Sequence, residues 1–383
     1  MQVRVCSGAA VAACGLFVDC SRSGCVTSAE SVLIEQMNIA AMLAAVAAQK
    51  ASGGIVVLST TSQTVTALAM SLALPQLQCL AKLKTFFHSV GVDYVLDVTA
   101  ARQVTNAETA QEFMQRVACG GGGSVNGMLS STCPGWVCYV EKSQPCALPY
   151  LSAVRSPQQI QGVIVKRILA RALGVPSSRV FHCTLMPCFD KKLEAMRLQF
   201  APDDIPDVDM VPHPPPPSPA LHQAPLLLLR LTAEWGQVVT PLELLSHLQE
   251  EDIALAALQP SPPLYGIPSI DSFVHRASAD GILHGCGESS GGLAKHAFEH
   301  AALHRFGQAV VADFVKVKNA DHREATLVVD GQVVLRACLT YGFRNIQNLV
   351  RPPRARLCVV FSLLKAAAAD PLHQGPEINS AFR

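Results

Sequence analysis

After a weakly patterned start, short apolar runs alternate with amphipathic stretches along the chain. Thr27-Ser28-Ala29-Glu30 has the spacing of a capping box and predicts a helix running to about Lys50. The β-branched run Ile55-Val56-Val57-Leu58 predicts a short buried strand. Helices are expected over 62–74 and 77–90, a second strand over 93–98, and a helix over 108–117 that stops at the glycines of 120–123. A strand-like stretch over 128–132 runs into Cys133. Residues 158–173 form a strongly amphipathic helix, with Ile160, Val163, Ile164, Ile168 and Leu169 on one face. A strand over 180–186 then ends at Pro187-Cys188. Strands alternating with helices predict parallel βαβ units.

The pattern breaks at Pro212, where the run from His213 to Pro219 predicts a polyproline segment with no core role. It resumes with a helix over 241–249, a helix opening at Gly291-Gly292 and running to about Phe306, and a strand over 310–317. A hairpin is expected over 326–329 and 332–339 around Asp330-Gly331, followed by a helix over 345–350. Beyond Arg351 no periodicity stands out.

Composition narrows the function classes. A length of 383 residues suggests two or three domains. Charged residues make up 15%, and the net charge of +1 gives no footprint for nucleic acid or an anionic membrane. The longest apolar run, 39–48, falls short of the roughly 20 residues that span a bilayer. Residues 8–18 after Arg4 read as a weak signal-peptide core or as a poorly ordered N-terminus. Fourteen cysteines in so long a chain point to buried packing or metal ligation rather than a disulfide framework.

Spacing separates these uses only in part. Cys6, Cys14, Cys20 and Cys25 lack the C-x2-C-x2-C run that wraps a compact cluster, and Arg22 lies between the last two. Cys133 and Cys188 each follow an expected strand and precede a turn, and ligands in parallel sheets collect beyond the carboxyl ends of strands. Lys191 and Lys192 would offset the charge of thiolates there. Either cysteine also reads as core packing. Gly287-Glu288-Ser289-Ser290-Gly291 matches G-x-S-x-G but lacks a convincing preceding strand, so helix capping explains it better than a hydrolase elbow. His296, His300 and His304 line one helix face without the glutamate of H-E-x-x-H, and a solvated face accounts for them.

Several longer stretches then occur together and in order: STCPGWVCYVEK, RSPQQIQGVIVK, MPCFDKKLEA, GGLAKHAFEHAA and YGFRNIQNLV. With them the chain resembles the iron-only hydrogenase-like family of eukaryotes, the cytosolic iron–sulfur assembly component also described as nuclear prelamin A recognition factor-like. The resemblance covers most of residues 19–350 apart from an insertion near 212–237. It implies an α/β fold of two lobes with parallel sheets flanked by helices, preceded by a degenerate ferredoxin-like segment. The implied layout is 1–50 for that segment and its helix, 51–211 for the first lobe, 212–237 for the Pro-rich insertion, 238–350 for the second lobe and 351–383 for a divergent tail.

The resemblance also implies a buried 4Fe-4S cluster, with two of its four ligands carried over to Cys133 and Cys188, Lys191 beside it and Trp136 shielding it from water. Pro134-Gly135 is expected to turn the chain away from the cluster. The family's other two ligands lie in a C-x3-C motif after YGFRNIQN; this chain continues RPPRARLCVVFSLL instead, with only Cys358. In the ferredoxin-like segment Cys25 matches the last ligand, Cys20 a shifted first one, and Arg22 stands at the middle one. The chain thus reads as an incomplete member, such as an altered transcript or gene model would give, and Cys183 or Cys286 is a conceivable substitute ligand. The function implied is that of a cluster carrier or adaptor without hydrogenase activity. Thr132 occupies the position of the proton-relaying cysteine of true hydrogenases, so no catalytic residue is expected. A cluster-free paralogue or fragment acting as a binding module is the alternative. The implied partner is the cytosolic iron–sulfur targeting complex with its WD40 propeller protein, and the implied location is the cytoplasm, with the nucleus as a second compartment.

Overall fold

The computed structural model describes residues 34, 37–118, 127–197, 207–212, 234–236, 238–262, 264–271, 292–317 and 319–350. In chain order its main elements begin with α1 (Ile39–Ala51), β1 (Ile55–Thr60), α2 (Ser62–Ser71), α3 (Gln76–Ser89), β2 (Tyr94–Asp97), α4 (Thr99–Ala118) and α5 (Pro134–Ser143). There follow α6 (Pro157–Val163), β3 (Val180–Leu185), α7 (Asp190–Ala195), β4 (Met210–Pro212), β5 (Glu234–Gly236), β6 (Val238–Val239), α8 (Pro241–Glu250) and α9 (Pro268–Asp271). The last are α10 (Leu293–Phe306), β7 (Val315–Lys316), β8 (His322–Val329), β9 (Gln332–Thr340) and α11 (Phe343–Val350). The chain divides into two compact units that interleave in sequence: Met1–Ala100 with Gln158–His284, and Ala101–Pro157 with Gly285–Arg383.

The first unit is built on a parallel sheet of order β2-β1-β3-β6. β1 pairs with β3 from Ile55↔Val180 to Thr60↔Leu185, and with β2 from Val57↔Tyr94 to Thr60↔Asp97. Both faces are covered, which is why these strands read as continuous apolar runs. Val56, Leu58, Cys183 and Leu185 pack with residues of α1, α2, α3 and α8, whereas Val57, Leu96 and Val180 face Val165, Leu169 and Ile270. Among the described residues no single helix is long and apolar enough to cross a membrane.

Several helices differ from expectation; the one expected over 108–117 opens nine residues earlier, at Thr99. α1 opens at Ile39, because the Asn38 side chain accepts the Ala41 N–H at 2.9 Å; the 27–30 box lies outside the described residues. The helix expected over 158–173 is helical throughout but widens to a π-turn over Ile164–Leu169. Just before the π-turn, α6 passes so close to the chain at Asp207 that a Cβ on Gly162 would meet its carbonyl oxygen at 2.2 Å, which restricts that position to glycine.

In the second unit Glu112 and Arg116 on α4 hold the segment 149–153. Glu112 accepts from Ser152 Oγ at 2.5 Å and from the Ala153 N–H at 3.1 Å, and Arg116 donates to the carbonyls of Tyr150 and Leu151. The described strands of this unit form an antiparallel sheet, β7-β8-β9. Its hairpin closes at Asp330-Gly331, with φ of 50° and 76°, the left-handed pair a two-residue type I′ turn requires. Ala325, Leu327, Leu335 and Ala337 are buried on one face of the hairpin, and α10 packs against β9. Of the strand expected over 310–317, only Val315–Lys316 pairs.

Candidate iron–sulfur site

Cys133 is exposed and occupies the N-cap of α5, with Pro134 as the first helical residue. Proline fits there because its fixed φ suits the helix and its missing N–H would have no intrahelical partner. Pro134-Gly135 therefore opens a helix rather than making a turn. The stretch before Cys133 is not a strand either: it forms one parallel bridge, Leu129↔Leu151, and the Cys133 N–H donates to Ser131 Oγ at 3.1 Å. The N-terminus of a ten-residue helix favours negative charge, so a thiolate at this cap is electrostatically supported. Trp136, half-buried on the first turn, lies 6.2 Å from the Tyr139 ring centre to centre.

Cys188 is half-buried in the loop after β3 and directly before α7. Its carbonyl accepts the Lys191 N–H at 3.2 Å, and Gln158 Nε2 donates to the Lys191 carbonyl at 3.1 Å. The two lysines expected to offset thiolate charge already have carboxylate partners. Lys191 Nζ sits 2.7 Å from Glu194 Oε2, and Lys192 Nζ 2.5 Å from Glu243 Oε1. Burial drives the Lys192 pKa down, and Glu243 opposes that shift.

Cys183 is a core residue. It is fully buried within β3, its thiol points to the Val57 carbonyl at 3.7 Å, and burial pushes its pKa far above the usual thiol range. Its side chain packs in the core with Val56, Leu58 and Leu185. Cys20, Cys25, Cys286 and Cys358 lie outside the described residues, as do the G-x-S-x-G stretch and the proline run. Cys133 and Trp136 share one helix start in the second unit, and Cys188 lies just before α7, which carries Lys191, in the first. Cys133 is exposed and Cys188 half-buried, and a thiolate at either position is of the donor type that holds iron in a cluster.

The comparison with solved structures gives the class: the fold, with its parallel sheet covered on both faces, is that of iron-only hydrogenases. Residues 54–212 match the iron-only hydrogenase large subunit, C-terminal domain. A solved apo FeFe-hydrogenase from Chlamydomonas reinhardtii superimposes with a TM-score of 0.58 at 21% identity, covering 79% of this chain and 74% of that one. Protein NAR1 of Arabidopsis thaliana is 36% identical over 345 residues, which is 88% of this chain and 67% of that protein. A cytosolic Fe-S cluster assembly factor, narfl, of Danio rerio is 36% identical over 338 residues, covering 86% of this chain and 74% of the relative. The cytosolic iron-sulfur assembly component 3 of Rattus norvegicus is 35% identical over 343 residues, and the chain spans 65% of its length. The chain belongs to this family of cytosolic iron–sulfur assembly factors.

Proposed function

We propose that this chain is an iron–sulfur protein of cytosolic iron–sulfur protein assembly, with Cys133 and Cys188 as iron ligands. It acts as a cluster carrier or adaptor and catalyses no reaction of its own. The observation that carries this reading is Cys133: an exposed thiol at the positive end of a helix, in a chain related to assembly factors along most of its length. Bound as a 4Fe-4S centre, the cluster would supply one-electron redox chemistry and transferable iron and sulfide. Pro134 fixes the helix start that presents the Cys133 sulfur, and the Trp136–Tyr139 pair on the same helix would supply an aromatic wall beside it. Thr132 supports the non-catalytic reading, since a hydroxyl is a poor proton relay at neutral pH. The location is cytoplasmic, with the nucleus as a second compartment. The protein partner is the cytosolic targeting complex with its WD40 propeller.

A cluster-free binding module is the second reading, favoured by the paired state of Lys191 and Lys192 and by a sequence after Val350 that lacks C-x3-C. Anaerobic purification with iron and sulfide analysis separates the two. Bound iron that falls in both Cys133→Ala and Cys188→Ala supports the cluster protein; iron content unchanged in both defeats the ligand assignment. A folded, colourless, iron-free chain leaves the binding module, and hydrogen evolution overturns the non-catalytic reading.

A further inference from the structure

On the hairpin face opposite the apolar one, three ligand-type side chains meet. His322 and Glu324 are two residues apart on β8, so they share a face, and Cys338 on β9 stands directly across from Glu324 in the register. One donor atom from each lies within 4.8 Å of the others. His322 and Cys338 are buried, and Glu324 is partly exposed. We propose that His322, Glu324 and Cys338 form a divalent-cation site of this hairpin, suited to zinc.

Three features carry the assignment. First, His322 Nε2 is 3.2 Å from Glu324 Oε1. Ligands bound at about 2.0–2.1 Å at the tetrahedral angle stand roughly 3.3 Å apart, so the pair is already spaced as neighbours around one ion. His322 Nδ1 also lies 3.0 Å from Thr340 Oγ1; in the tautomer that donates from Nδ1 to this hydroxyl, Nε2 carries the lone pair that a cation beside the carboxylate would take. Second, outer groups stand behind the ligands: Thr340 Oγ1 is within hydrogen-bond distance of the imidazole Nδ1, and Arg336 Nε lies 3.9 Å from Oε2, the Glu324 oxygen that does not face His322. Third, the charges balance. Neutral imidazole, carboxylate and thiolate neutralise a divalent ion once the Cys338 S–H bond gives its proton to solvent, and a neutral assembly is the one that burial tolerates. Nitrogen, sulfur and oxygen donors of this kind suit zinc, with a fourth position left for water.

The test uses the full chain carrying Cys133→Ala and Cys188→Ala, so that it does not depend on the proposed iron ligands. The metal-free protein is titrated anaerobically with Co2+. The expected result is one bound ion with thiolate-to-cobalt charge-transfer absorption and tetrahedral ligand-field bands, displaced by Zn2+. His322→Gln and Cys338→Ser, checked for folding by circular dichroism, are each expected to weaken binding by at least about tenfold, and Cys338→Ser to abolish the charge-transfer band. Binding and bands unchanged in both variants, or no ion bound by the parent, overturns the proposal and leaves a His322–Glu324 proton-shared pair. Should either variant fail to fold, Glu324→Gln decides. A retained charge-transfer band with at least about tenfold weaker binding supports the site, and unchanged affinity overturns it.

Discussion

Lys192 Nζ, fully buried, lies 2.5 Å from Glu243 Oε1, while the other oxygen of the same carboxylate accepts the Thr240 N–H at 2.8 Å. One glutamate thus closes the capping box of α8 and neutralises the lysine that anchors α7, four residues after Cys188. Lys192 also donates to the Met37 carbonyl, which ties the entry to α1 into the same knot. The Cys188 loop therefore has its position set by an ion pair spanning 51 residues of sequence.

Removing one partner of such a pair strands a charge. Glu243→Gln leaves a buried ammonium with carbonyl partners only and is expected to cost about 3 kcal/mol, read by urea unfolding. Lys192→Met leaves Glu243 with its exposed edge and its capping bonds, so its cost should be smaller. Combining the two should recover part of the Glu243→Gln loss. Additive costs would show that the pair is not coupled.

The parallel sheet was legible in the sequence because strands covered on both faces become β-branched runs, and the hairpin was legible because Asp330-Gly331 can adopt the left-handed turn. The Lys192–Glu243 pair was not, since nothing local links positions 51 residues apart. The interleaving of the two units escaped for the same reason: each is made by contacts between distant segments. For the candidate site, Cys188 was legible as a residue just past a strand. The setting of Cys133 was misread because Pro-Gly signals a turn as readily as Pro at a helix start, and the Cys133 cap decides in favour of the helix. Cys183 lies inside the strand and Cys188 beyond it, and that boundary makes the first a buried core residue and leaves the second half-buried. The His322–Glu324–Cys338 group needed the β8–β9 register, which periodicity alone does not give.

His182 predicts an acid limit to stability. Its ring is fully buried in β3, with Nδ1 2.7 Å from the Asp207 carbonyl and Nε2 2.9 Å from Ser59 Oγ, an arrangement that suits the neutral imidazole. Burial lowers its pKa from 6.5 to about 4, a shift that the Asp207 carbonyl opposes and Lys166 reinforces. The unfolded chain then binds more protons than the folded one between those values. The contribution is complete above pH 6.5 and is lost as pH falls toward 4, by about 3 kcal/mol in all. Urea midpoints measured across that range should fall more steeply for the parent than for His182→Gln. Parallel slopes would show that His182 is not the titrating group.

Thiol chemistry separates ligand candidates from core cysteines without any mutation. Cys79 and Cys183 are buried; burial raises the Cys79 pKa to about 12 and that of Cys183 further still, so neither presents a thiolate near neutral pH. Cys133 and Cys146 are exposed on neighbouring parts of one segment, the first at the N-cap of α5 and the second in the short helical turn Pro145–Tyr150. In metal-free folded protein, iodoacetamide followed by peptide mass spectrometry should label Cys133 and Cys146 and spare Cys79 and Cys183. After anaerobic loading with iron and sulfide, Cys133 should become protected while Cys146 keeps its reactivity, because both are exposed and only the first is assigned to iron. Equal protection of the two would mean that the segment is covered rather than ligated, and equal labelling before and after loading would mean that Cys133 holds no iron.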